Sequence, residues 1–222
     1  MDNQAAMKKY KIASSFALGG FKDYLASRIL LEKGMLIQAA TLASTAVEKF
    51  LKYNSTVRGI KLTGHINNWN NKKLSDFSET YKLNICFLKL LQVIYQVRYI
   101  DNLKKDVSFS IERLKFLAEL DYTISQLSES AELHENGVRF SPFHTAIKTQ
   151  DQNLSKDNWV LSGVDRDEFV TCPDKAEAYY INKNLETFSC VLSGYVPKNL
   201  SSFSKPGITK KENELTCVLV GA

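Results

Sequence analysis

The stretch QVRYIDNLKK, residues 96–105, places a permanent cation, Arg98, in a segment that is apolar almost all the way round from Ile85 to Ile100. A guanidinium is a planar fork of donors that suits phosphate and carboxylate oxygens. On a helical wheel Arg98 falls opposite Lys89, on the side of Phe87, Leu91 and Ile94, so it is expected to point inward or into a groove. Asp101 at i+3 and Asn102 at i+4 reach it from the same side if the helix continues that far. Two uses follow. Arg98 binds a phosphate, or it pairs with Asp101 or Glu48 and fixes helix packing, because a buried guanidinium without a partner is too costly.

Other chemistry is sparsely supplied. The chain holds no GxxxxGK[ST] loop, no GxGxxG, no HExxH and no GxSxG elbow. Its three histidines, His65, His134 and His144, are scattered and suggest no metal site. Cys86, Cys172, Cys190 and Cys217 form no CxxC pair, which reads as free thiols in a reducing cytoplasm. No cofactor and no metal are expected. The acidic run at Asp165, Asp167 and Glu168 reads as a solvated turn. Trp69, Trp159, Tyr179 and Tyr180 could stack on bases, although core packing is the commoner fate of such side chains.

The elements that would position these residues are mostly helical. At 222 residues, 44% hydrophobic and 24% charged, the chain can bury a core. Its net charge of +5 is unevenly spread: residues 1–130 carry 19 Lys/Arg against 12 Asp/Glu, and residues 131–222 carry 10 against 12. A basic helical half can attract a polyanion such as RNA; the alternative is a merely solvated basic surface. No run is long and apolar enough for a membrane span. Lys8-Lys9 followed by IASSFALGGF faintly mimics a signal peptide, but Ser14, Ser15, Gly19 and Gly20 weaken it, and it reads as a leader into the first helix.

Apolar spacing predicts helices at 21–33, stopping at Gly34, and at about 36–57, with a narrow stripe of Leu36, Ala39, Ala40, Ala43, Val47, Phe50 and Leu51. Small residues let helix axes approach closely. Residues 58–73 form a polar loop, followed by a short helix with Leu74 and Phe77. Helices at 85–101 and 108–131 follow, the latter capped by Ser108 or Ser110. After Glu132 the character changes. NWVLSG, EFVTC, TFSCVLSGYV and LTCVLVGA read as short strands, and KAEAYYINKN, 175–184, as one helix. The expectation is a mainly α protein: a four- or five-helix bundle over 1–131 and an irregular C-terminal extension over 132–222 containing short β-strands.

Residues 24–65, YLASRILLEKGMLIQAATLASTAVEKFLKYNSTVRGIKLTGH, resemble the HEPN family, with the Ala-rich run into Ala46-Val47-Glu48-Lys49, Leu51-Lys52 and the loop at Gly64-His65. Arg98-Tyr99 with Asp101 is similar to the RY-x-D of many members, and the resemblance covers about 10–131. It implies a helical bundle that usually forms a homodimer; no membrane is expected, since no run is long and apolar enough to span one. Many members are metal-independent ribonucleases with Arg, four to six residues, then His; others are non-catalytic modules that bind RNA or nucleotides, or partners of nucleotidyltransferases in toxin–antitoxin or defence-type systems.

In this chain the motif is broken, because Leu103, Lys104 and Lys105 stand where the histidine should be. Lysine exchanges protons poorly near neutrality. The literal spacing occurs at Arg58–His65, across Gly59 and Gly64, and at Arg139–His144, across Pro142, which would clash inside a regular helix. The leading expectation is therefore a non-catalytic RNA- or nucleotide-binding module with Arg98, Tyr99, Asp101, Asn102 and Glu48 at its site. The rivals are a metal-independent endoribonuclease with a non-standard site, Arg139 and His144 being the runner-up pair, and a helical scaffold whose tail binds a protein partner.

Overall fold

The computed structural model describes residues 3–98, 107–135, 138–181, 184 and 187–195. Two helices dominate, α1 (Asn3–Glu32) and α2 (Leu36–Val57). Buried residues of α1 recur at helical spacing: Ala13, Ala17, Phe21, Tyr24, Ser27, Arg28 and Leu31. They meet Ala39, Ala40, Ala43, Ala46, Val47 and Phe50 of α2, all fully or almost fully buried. The turn between them closes at Gly34, whose φ of 77° is left-handed, while the Met35 N–H donates to the Leu30 carbonyl. The second helix has the bounds its stripe predicts. The first is much longer, because the segment expected as a leader is itself helical.

Of the two glycines that weakened that segment, Gly20 has a packing reason and Gly19 does not. A Cβ on Gly20 would lie 3.0 Å from the Phe50 ring, 3.2 Å from Lys49 Cβ and 3.3 Å from the Ala46 carbonyl oxygen. Gly19 faces only the flexible end of Lys49, at 3.5 Å. Gly20→Val is expected to destabilise by about 1–3 kcal/mol through overpacking. Gly19→Ala should raise stability by roughly 0.5–1 kcal/mol, since it removes backbone freedom at no steric cost. Urea denaturation of the two variants checks the contrast, and equal effects would contradict the close approach at Gly20.

The bundle continues with a 3₁₀ turn (Ile66–Asn68), α3 (Asn71–Tyr81) and α4 (Ile85–Val97). The Asn84 side chain caps α4 by accepting from the Cys86 and Phe87 amides. The strand β1 (Val107–Glu112) and the helix α5 (Arg113–Glu129) come next. Buried polar groups tie α2 to its neighbours. Ser44 Oγ donates to the Leu91 carbonyl of α4, and Asn54 Nδ2 to the Leu127 carbonyl of α5.

The helix expected over 108–131 is thus corrected at its start. Residues 107–112 are a strand, and Ser108 and Ser110 are strand residues, not caps. β1 pairs antiparallel with β4 (Asp174–Ile181), Val107 opposite Ile181 and Phe109 opposite Tyr179. β4 pairs in turn with β5 (Thr187–Tyr195), giving the order β1-β4-β5. The expected helix at 175–184 is corrected by β4 as well. Between α5 and β4 lie a two-stranded ribbon of β2 (His134–Glu135) and β3 (Val138–Arg139), then four short helices. These are α6 (Pro142–Lys148), α7 (Gln152–Ser155), α8 (Trp159–Ser162) and α9 (Arg166–Val170). NWVLSG and EFVTC therefore contribute to helices instead of strands, whereas TFSCVLSGYV forms β5 as expected. LTCVLVGA lies outside the described residues.

The result is a mainly helical protein with a small antiparallel sheet. One hydrophobic cluster joins Ala13 of α1 to Phe143, Ala146, Leu154 and Ile181. Phe143 packs edge-on against Phe21, and Trp159 stacks on Tyr122 while its indole N–H donates to the Ala118 carbonyl. Among the described residues, no helix is long and apolar enough to cross a membrane.

Candidate functional site

The polar loop after α2 is anchored at its far end. Gln92 of α4 donates to the carbonyls of Ile66, Asn67 and Trp69, the last at 2.6 Å. The Trp69 indole N–H donates to the Thr63 carbonyl at 3.2 Å. These bonds place His65 over α2, where buried Glu48 receives it. Glu48 Oε2 accepts from the Ile66 amide at 2.9 Å; Oε1 accepts from Lys52 Nζ at 2.7 Å and meets His65 Nδ1 at 3.0 Å. An ionised carboxylate only accepts, so Nδ1 carries the shared proton and Nε2 is the ring nitrogen that Glu48 does not hold. The His65 side chain is 56% exposed.

The imidazole stacks on Tyr95 of α4, ring centroids 5.4 Å apart and planes 22° from parallel. The guanidinium of Arg98 lies 5.2 Å from the centroid of the same Tyr95 ring. Arg98 is the residue that caps α4, and it is exposed. Of the two positions expected from the wheel, inward or into a groove, its exposure corrects the inward one. The Tyr95 ring lies beneath a guanidinium that stays in water, as long cationic side chains tend to do. Two of the expected site residues, Glu48 and Arg98, thus flank one His65–Tyr95 stack. Tyr99, Asp101 and Asn102 lie outside the described residues.

In the sequence, His65 belongs to the Gly64-His65 loop and to the Arg58–His65 spacing. That spacing does not make a pair. Arg58 lies over Tyr81, at 5.0 Å, and His65 over Tyr95. The useful signal was Glu48 itself, a carboxylate within an Ala-rich buried stripe, which needs a donor from elsewhere in the chain.

The runner-up pair has a local explanation for its histidine. Pro142 occupies the first turn of α6, where proline is tolerated, so the expected clash does not arise. Ser141 caps that helix. Its Oγ accepts from the His144 amide and lies 2.6 Å from His144 Nδ1, while His144 Nε2 meets Glu129 at 2.6 Å. Arg139 belongs to β3, and its side chain is not among those described. Asp165 caps α9 through the Asp167 and Glu168 amides, which accounts for one member of the acidic run. Cys86, Cys172 and Cys190 are free thiols. Among the described residues, no group of three His, Cys, Asp or Glu side chains could hold a metal ion.

A second polar cluster lies deeper. Asp121 of α5 accepts from Tyr24 Oη at 2.7 Å and from Arg28, which also donates to the carbonyls of Asn153, at 2.8 Å, and Lys156. Burial pushes Asp121 up to about 6 against the opposing pull of Arg28. Burial works against the Arg28 cation, but its contacts with Asp121 and Tyr24 outweigh that and hold it above its ordinary value. Burial and the Asp121 charge raise Tyr24 well above the usual phenol range. This cluster joins α1, α5 and the α7 region and opens on no substantial cavity; the cleft beside it has room for little more than a water molecule.

Comparison with known protein families, curated proteins and solved structures gives no match.

Proposed function

We propose that the protein is a HEPN-like module that binds RNA or nucleotides without cleaving them, acting as a cytoplasmic homodimer. The observation that carries this reading is the shared ring. Arg98 and His65 both lie on Tyr95, so a guanidinium and an imidazole whose Nε2 donates when protonated are held against one ring. The excess of Lys/Arg over residues 1–130 supports a polyanionic ligand. Binding of labelled single-stranded RNA at low salt, followed by fluorescence anisotropy, tests it. Arg98→Ala is expected to weaken binding and to reduce the slope of log K against log salt by about one contact. Absence of binding at low salt overturns the reading and leaves the scaffold alternative. A nucleotidyltransferase partner, within a toxin–antitoxin or defence-type pair, is the protein partner we propose.

One observation favours a second reading, a metal-independent endoribonuclease. A carboxylate that orients an imidazole through Nδ1 is the usual support of a general base. Here Glu48 would play that part for His65, in place of the histidine lacking after Arg98. His65 Nε2 would take the proton of a ribose 2′-hydroxyl as it attacks the adjacent phosphorus, and the departing 5′-oxygen would take a proton from water. RNA cleavage in EDTA that disappears in His65→Ala selects this reading over the first.

A further inference from the structure

Among the described residues, three buried aromatic rings at and beside this site lie against cationic or imidazole groups. Tyr95 is 6% exposed and carries both His65 and Arg98. Trp69 is 3% exposed, with Lys73 Nζ 5.7 Å from its centroid and Phe77 against it. Tyr81 is 4% exposed, beneath Arg58 and stacked with Phe77. Single-stranded nucleic acids are read through their bases by rings with an open face. Each of those three rings lies against a cationic or imidazole group. The groups lying against them are N–H donors: the guanidinia of Arg58 and Arg98, the ammonium of Lys73, and His65 Nε2 when it is protonated.

We infer that the site reads the phosphate backbone and not the bases, and that His65 makes this binding proton-linked. The inference rests on the RNA-binding reading above and adds to it the part of the ligand that is recognised. His65 is suited to the second role by its surroundings. From α2 it faces Glu48, which holds Nδ1, and Lys52, which shares the same carboxylate oxygen. From α4 it faces Tyr95, and Arg98 lies on that same ring. A neutral imidazole held at Nδ1–H offers Nε2 only as an acceptor, which repels a phosphate oxygen. Protonation turns Nε2 into a charged donor.

The experiment compares three single-stranded probes of equal length with the full chain at low salt: oligouridylate, oligoadenylate, and an abasic sugar–phosphate oligomer. Anisotropy or competition gives each affinity at pH 5.5 and pH 8. The expected result is that the three probes bind within about twofold of one another. Affinity for all three should fall about tenfold from pH 5.5 to 8, the effect of losing one charged hydrogen bond. His65→Gln, which can still donate to Glu48, should abolish most of that pH dependence while keeping the melting temperature. Binding of the base-containing probes with at least tenfold loss for the abasic oligomer overturns the inference and leaves the RNA-binding reading intact. A pH dependence unchanged in His65→Gln overturns the proton-linked role. Failure of every probe to bind overturns the underlying reading, and this inference with it.

Discussion

Arg28→Met is expected to lower stability by about 3–5 kcal/mol at pH 8, because it leaves a buried carboxylate without its cation. Asp121 would retain only the hydrogen bond from Tyr24, and the carbonyls of Asn153 and Lys156 would each lose a donor. The loss should shrink in acid, where Asp121 takes up a proton and needs no cation. The same residue gives the wild type a pH dependence with a definite sign. Its pKa of about 6 in the folded chain exceeds its ordinary 3.8, so folding binds a proton between those values. The stability contributed by this carboxyl is fully present below pH 3.8 and is lost as pH rises through 6, by about 3 kcal/mol in all. Urea denaturation of the wild type and of Asp121→Asn from pH 4 to 8 isolates the effect. A difference curve of opposite slope would mean that the attraction of Arg28 outweighs burial.

Glu48→Ala is the second large effect, and it reaches both stability and binding. The substitution removes the acceptor of the buried Ile66 amide and the common partner of Lys52 and His65. An unsatisfied buried donor together with two lost charged contacts should destabilise by about 2–4 kcal/mol. Affinity for single-stranded RNA should fall about tenfold, because His65 loses the group that aims it. Glu48→Gln keeps an acceptor for Ile66 but turns an amide toward Lys52, so it should restore much of the stability and little of the binding. Denaturation and anisotropy on the two variants make the comparison, and full binding by Glu48→Ala would remove Glu48 from the site.

The helical framework was legible where burial follows a single period. The α2 stripe gave both ends of its helix because small residues at three- and four-residue steps face α1 without interruption. Periodicity misled where pairing partners are distant in sequence. Val107, Phe109 and Ile111 alternate with Ser108 and Ser110, the pattern of a half-buried strand, but the helical run that begins at Arg113 extends the wrong period backwards. KAEAYYINKN has the Ala, Glu and Lys of a helix, yet β1 on one side and β5 on the other supply ladder hydrogen bonds that override the preference. The short helices at 159–162 and 166–170 carried readable caps, Asn158 and Asp165, which the β-forming residues after them obscured. At the site, Glu48 and Arg98 were named from the residues. His65 joined them only through the folding back of its loop, held by Gln92, which no local spacing encodes.

The pairing of β1 with β4 bears on how the chain is made. β1 leaves the ribosome well before its neighbour, since all of α5 to α9 must be translated between them. At roughly 5–20 residues per second, that delay is on the order of 3–12 s. During it the helices of the amino-terminal half can assemble, while one ladder of amide and carbonyl groups waits open beside them. An unpaired strand is a template for intermolecular association. That one ladder stays open to another chain during synthesis, and it closes when residues 174–181 emerge and take the place beside β1.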